Sequence, residues 1–214
     1  MIKAISLLLA LAGFVTAAQA QDVAAGQQKA AMCIGCHGIP GYQATFPQVH
    51  KVPMIAGQGA GYITAALTAY ASGERKHPTM RGIAASLSEK DMADLAAFYE
   101  QQGKGQKAAP ADTAVAAPAP VAELLNKGAC ASCHGANFNK PVAPNYPKLA
   151  GQHGDYLLVA LKSYQTGHNA LGARGNAIMA GQVKQFSAAE LKQLANYLAS
   201  LPGELQTVPQ SRFR

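Results

Sequence analysis

The feature that most constrains the fold is that this chain is one unit written twice. Cys33-Ile34-Gly35-Cys36-His37-Gly38 returns as Cys130-Ala131-Ser132-Cys133-His134-Gly135, 97 positions on. Pro53-Met54-Ile55-Ala56-Gly57-Gln58 returns as Pro147-Lys148-Leu149-Ala150-Gly151-Gln152 at an offset of 94, and Tyr62, Leu67, Tyr70 and Gly73 match Tyr156, Leu161, Tyr164 and Gly167 at the same offset. Met80-Arg81-Gly82 then matches Met179-Ala180-Gly181 at 99. The order holds while the offset drifts, which puts insertions and deletions in loops, where they cost least. Two tandem domains follow, residues 21–102 and 121–214. The stretch between them, GKGQKAAPADTAVAAPAP over 103–120, is rich in Ala and Pro, lacks aromatic residues and reads as a semi-extended linker.

Each unit reads as helical. Residues 22–32 and 121–129 are short candidate helices that lead into the cysteine motifs, and 61–72 and 155–165 carry apolar residues at helical spacing. The last helix of each unit opens on a capping signature, Ser88-x-x-Asp91 and Ser187-x-x-Glu190. Behind the caps run the apolar faces Met92, Leu95, Phe98, Tyr99 and Leu191, Leu194, Tyr197, Leu198. No strand alternation is evident, so the fold class is all-α. A unit this small has a marginal core, and a bulky buried cofactor would complete it.

Residues 1–20 read as an export leader. Lys3 supplies the positive start, residues 4–18 are almost wholly apolar, and Ala18-Gln19-Ala20 is a small-x-small cleavage site. The mature chain is expected to begin at Gln21 in the periplasm. Charge is uneven: six Lys/Arg against six Asp/Glu over 21–102, but nine against four from Val121 onward. A basic chain can bind nucleic acid, yet the clustering of aromatic and basic residues that such a face needs is missing.

An oxidising compartment would by default pair the four cysteines as disulfides. Their spacing points elsewhere. In Cys-x-x-Cys-His the two thiols can form thioethers to the vinyl groups of a haem, and the adjacent imidazole supplies an axial nitrogen to the iron. Cys33, Cys36 and His37, and Cys130, Cys133 and His134, are the candidate attachment residues. A thioredoxin-like pair needs no following His and sits in a βαβ context. Zinc would require both units to converge on one ion, and plain disulfides leave the two histidines unexplained.

Electron-transfer iron is closed by a second protein ligand, and Met opposite His raises its potential. Met80 and Met179 alone recur at equivalent places, 43 and 45 residues after their His, and are the candidate sixth ligands. Met32, Met54 and Met92 are read as core. His77, three residues before Met80, is a rival ligand, but Asn176 stands at that place in the second unit. His50, His153 and His168 also lack histidine counterparts, and loop or surface roles are assigned to all four.

With these residues placed, the chain resembles the diheme cytochrome c4 family, class I c-type cytochromes of the periplasm. The resemblance rests on the paired Cys-x-x-Cys-His-Gly motifs, the Pro-x-Ile/Leu-Ala-Gly-Gln segments and the Met-x-Gly stretches, and covers nearly all of residues 21–203. It implies two tandem class I cytochrome c domains related by a pseudo-twofold, two covalently bound haem c groups with propionates near the interface, and single-electron relay in a respiratory chain, toward a terminal oxidase, by a two-domain monomer that is not an enzyme. Peripheral membrane association stays open. A haem enzyme of peroxidase type and the cytochrome subunit of a dehydrogenase complex are the alternatives. In the family, first and last helices cross through a Gly. Gly26 fits that place, whereas Glu123 stands at the equivalent position in the second unit. The resemblance also places the carbonyl that accepts the proximal His N–H at Pro144, with His50 at the corresponding site of domain one.

Overall fold

The computed structural model describes residues 21–105, 112–166 and 171–209. Helices dominate, in the same order twice. Domain one runs α1 (Val23–Lys29), α2 (Ala31–His37), the two-residue strands β1 (Gln43–Ala44) and β2 (His50–Lys51), α3 (Ala60–Ser72), α4 (Pro78–Ala85) and α5 (Glu89–Gln102). Domain two runs α6 (Ala119–Lys127), α7 (Cys130–His134), α8 (Gly154–Gln165), α9 (Ala177–Val183) and α10 (Ala188–Ser200). Helix α6 begins two residues inside the stretch read as linker, with Pro118 at its N-cap. Among the described residues no helix is long and apolar enough to cross a membrane.

Local chemistry accounts for the ends of these helices. Ser88 and Ser187 each close a capping box with Asp91 and Glu190, satisfying the first free N–H groups of α5 and α10 in both directions. Asp22 caps α1 with its side chain, while its own N–H donates to Asp94 Oδ1 on α5 at 2.9 Å. Helix α3 stops at Gly73, which takes the left-handed conformation at φ 81°.

The core of domain one forms where α1 and α3 close on α5, with α4 packed on α3, around Ile34, Ile63, Leu67, Leu95 and Phe98. Helix α1 crosses α5 at Gly26, where a Cβ would stand 2.1 Å from Asp94 O. Only a residue without a side chain permits that approach. Domain two has no such crossing. Glu123 is exposed, and α6 instead packs Leu124 into a cluster with Val183, Phe186, Leu191 and Leu194.

The two domains are stitched around a local twofold. Arg75 and Arg174 face each other in an antiparallel bridge, flanked by Lys76 N–H donating to Ala173 O and Gly175 N–H donating to Glu74 O, both at 2.9 Å. These are equivalent residues in the two copies, so the contact is reciprocal. The tail beyond α10 adds a second seam. Leu205 is fully buried, Gln206 N–H donates to Ala56 O at 3.1 Å, and Gln206 Nε2 donates to Gly103 O at 3.0 Å.

Candidate functional site

One cavity of about 630 Å³ runs through both domains and is lined by Cys33, Cys36, His37 and Met80 from the first, and by Cys130, Cys133, His134 and Met179 from the second. Every site residue expected from the sequence therefore borders the same space. Helices α2 and α7 carry the cysteine motifs; α4 and α9, which the sequence pattern does not reveal, carry the two methionines.

Each imidazole is aimed by a backbone carbonyl. His37 Nδ1 lies 2.9 Å from Pro53 O, and His134 Nδ1 lies 3.1 Å from Pro147 O. A carbonyl can only accept, so Nδ1 carries the proton and the Nε2 lone pair is left free to bind a metal. Burial, the largest influence, pushes both histidines below their ordinary pKa, which keeps that lone pair available. This overturns the expectation that Pro144 marks the acceptor in domain two, and it supplies in domain one the contact that His50, standing where Pro144 stands in domain two, does not. Both domains use the proline that opens the repeated Pro-x-Ile/Leu-Ala-Gly-Gln segment, and the Pro144 carbonyl instead packs against Gly61 of the other domain.

Helices α4 and α9 hold the methionines through matched caps. Met80 N–H donates to His77 Nδ1 at 3.3 Å, and Met179 N–H donates to Asn176 Oδ1 at 2.9 Å. His77 is thus an N-cap, and its alignment with Asn176 is structural. Met92 is buried core, as expected, but Met32 is 48% exposed, and Met54 is partly buried on the cavity wall. His50 is not a surface residue. It lies buried on β2, with Nδ1 donating to Gln48 O at 2.8 Å and its ring stacked on Tyr156 of domain two. His153 is the N-cap residue of α8, and His168 lies outside the described residues.

The four cysteines form no disulfide with one another, and burial, the largest influence, raises the Cys33 and Cys130 thiols above the ordinary thiol pKa. Among the described residues no three His, Cys, Asp or Glu side chains gather around one point, so the shared zinc site weighed from the sequence does not form.

Where the cavity meets the domain interface its wall turns cationic. Arg75 Nη1 donates to Tyr62 Oη at 3.2 Å and Nη2 to Tyr156 Oη at 2.8 Å, while Arg174 Nη2 donates to Tyr156 Oη at 3.2 Å. Arg75 is buried and its Nε has no hydrogen-bond partner. Burial pushes Tyr156 up, yet the two guanidinium groups overcome it and bring the phenol down to about 7. Two guanidinium groups on one cavity wall, one of them buried with an unpartnered Nε, present positive charge to an anion. The chemistry of the site fits iron porphyrin: thiol pairs for attachment, a neutral imidazole and a thioether for the metal, apolar walls for the ring, and the buried Arg75 beside the half-buried Arg174 for carboxylates.

The family model for cytochrome c matches residues 23–103 and again 118–202. Cytochrome c4 of Azotobacter vinelandii is 31% identical, over 92% of this chain and 97% of its own. A thiosulfate dehydrogenase electron acceptor of Stutzerimonas stutzeri strain A1501 is 32% identical, over 85% of this chain and 84% of its own. The crystal structure of reduced recombinant cytochrome c4 from Pseudomonas stutzeri superposes with a TM-score of 0.63 at 27% identity, covering 86% of this chain and all of the other.

Proposed function

Since this chain belongs to the cytochrome c family, as a two-haem electron-transfer protein of the cytochrome c4 kind, we propose that Cys33 and Cys36 hold one haem c through thioethers and Cys130 and Cys133 the other. His37 and Met80 would ligate the first iron, and His134 and Met179 the second. The mature protein starts at Gln21, with domain one over 21–102 and domain two over 121–214, and works in the periplasm. It delivers electrons within a respiratory chain, toward a terminal oxidase.

One observation carries the ligand assignment. In both domains the imidazole of the Cys-x-x-Cys-His motif is turned by the same repeated proline, and the repeated methionine borders the same cavity. Haem, when bound, supplies a one-electron ferric/ferrous couple. The protein's own groups keep the imidazoles neutral, orient them through Nδ1–H, and hold Met80 and Met179 on capped helices. Two side chains holding each iron would leave small molecules no place to bind, which suits an electron carrier and not a peroxidase. Intact mass of the purified protein, with a potentiometric titration, tests the reading. Two added haems and two one-electron waves are expected, and Met80→Ala and Met179→Ala each lower one wave only, because Met opposite His raises the potential. A colourless protein, or waves that ignore both substitutions, would sink it.

The excess of positive charge after Val121 suits an acidic docking face on the partner. Electron-transfer rates to that partner fall as ionic strength rises, and rates indifferent to salt count against this face. A second reading, acceptor for a periplasmic dehydrogenase, is favoured by the 32% identity to a thiosulfate dehydrogenase electron acceptor. Co-purification with a dehydrogenase that reduces the protein faster than respiratory donors do would select it.

A further inference from the structure

In each domain one backbone amide aims the imidazole of the cysteine motif, and the opposite domain grips that same amide from behind. The Pro53–Met54 peptide accepts from His37 Nδ1 at its oxygen, at 2.9 Å, and donates from its N–H to Gln152 Oε1 at 3.0 Å. Gln152 Nε2 completes the grip by donating to Met54 O at 2.9 Å. The Pro147–Lys148 peptide is treated alike: it accepts from His134 Nδ1 at 3.1 Å, its N–H donates to Gln58 Oε1 at 2.9 Å, and Gln58 Nε2 donates to Lys148 O at 3.0 Å. Both carboxamides are buried, at 3% exposure, so water does not compete for these bonds.

An amide that donates through its N–H accepts more strongly through its oxygen, by about 10–30% per bond in a chain. The harder that oxygen pulls on Nδ1–H, the more basic Nε2 becomes and the more it favours ferric iron. We infer that Gln58 and Gln152 are crossed positioning residues: each sets the reduction potential in the domain to which it does not belong. The inference rests on the haem and ligand assignment above. It carries a consequence for regulation, since anything that parts the domains removes both grips and raises both potentials together.

The test uses full-length haem-loaded protein with Gln152→Met, which keeps the length of the side chain without an acceptor, and Gln152→Glu, which presents a stronger one. Potentiometric titration followed by paramagnetic proton NMR reads each haem separately, and the His37 Nδ1–H resonance reports the bond itself in the reduced protein. Gln152→Met raises the domain-one potential and Gln152→Glu lowers it. Each changes the ferrous/ferric ratio at fixed ambient potential about threefold, which is about 28 mV at 59 mV per tenfold for a one-electron couple. The domain-two potential moves far less, and the Nδ1–H resonance moves upfield in the Met variant. Gln58→Met and Gln58→Glu give the same pattern with the domains exchanged and carry the test if the Gln152 variants fail to assemble. Shifts of one sign in both substitutions, or shifts confined to the domain that bears the change, mark a loosened interface and overturn the inference. If wild-type protein shows two His/Met-ligated haems and the crossed pattern is missing, the inference alone fails. If it lacks them, the ligand assignment fails as well.

Discussion

Placing a methyl group at Gly26 tests the seam that frames domain one. A Cβ there would lie 2.1 Å from Asp94 O, 2.6 Å from Asp94 C and 2.9 Å from Phe98 Cβ. The obstruction is mostly backbone of a long helix, so α1 and α5 must part by about 1 Å to reach ordinary contact, and a gap of that size forfeits a quarter to a half of the dispersion well for each atom pair across it. Overpacking of this kind costs about 1–3 kcal/mol, and the upper end applies where no flexible side chain can yield. Alanine returns up to about 1 kcal/mol of helix propensity. The expected net loss for Gly26→Ala is therefore about 2 kcal/mol. A domain of this length loses about 4–8 °C per kcal/mol, so its melting point falls by about 8–16 °C. Thermal unfolding followed by circular dichroism, with the haem absorption of each domain tracked alongside, measures it. Glu123→Ala at the equivalent exposed position is the control and stays within about 0.5 kcal/mol of the parent. If Gly26→Ala melts within about 2 °C of the parent, the close crossing is not what holds α1 in place.

Two further predictions concern the same seam and the tail of domain two. Lys90, and then the Asp22 N–H, hold the Asp94 carboxyl below its ordinary pKa. The folded state therefore binds that proton less readily than the unfolded chain, and the stability it contributes is complete above the unfolded value of about 4 and lost as pH falls through the lower folded value. Asp94→Asn flattens that acid limb, which urea midpoints measured from neutral to strongly acid pH will show; an unchanged limb would assign it to other carboxylates. Leu205→Ala empties a fully buried site in the tail of domain two and is expected to cost about 2–5 kcal/mol. Denaturant unfolding checks it, and a loss under about 1 kcal/mol would mean the tail contributes little.

Where local chemistry decides the structure, the sequence is legible. The capping boxes at Ser88 and Ser187 depend only on neighbours in the chain, whereas the crossing at Gly26 comes from the family resemblance, because the backbone it meets, at Asp94, lies far along the chain. Helices α4 and α9 escaped because eight and seven residues are too few for an apolar period to show; their signal lay in His77-Pro78 and Asn176, a cap followed by proline and a bare cap. The misplaced proline has a similar cause. Family resemblance pointed to Pro144, while the proline recurring in both copies at Pro53 and Pro147 was already visible as the start of a repeated segment. His50 reads as a loop histidine because the ring it stacks on, Tyr156, belongs to the other domain. The same limit hides the partners of Gln58 and Gln152, since contacts across the local twofold leave no period in either copy.

Gln206 donates to Ala56 and to Gly103 at once, so the tail of the second copy fastens at the spot where the chain departs from the first. The polypeptide is buckled like a belt, so the two copies are held at this point by contacts other than the peptide bonds that join them. A protease that nicks the Ala/Pro-rich tract should leave the halves travelling as one particle through a sizing column, separating only when denaturant reaches the buckle.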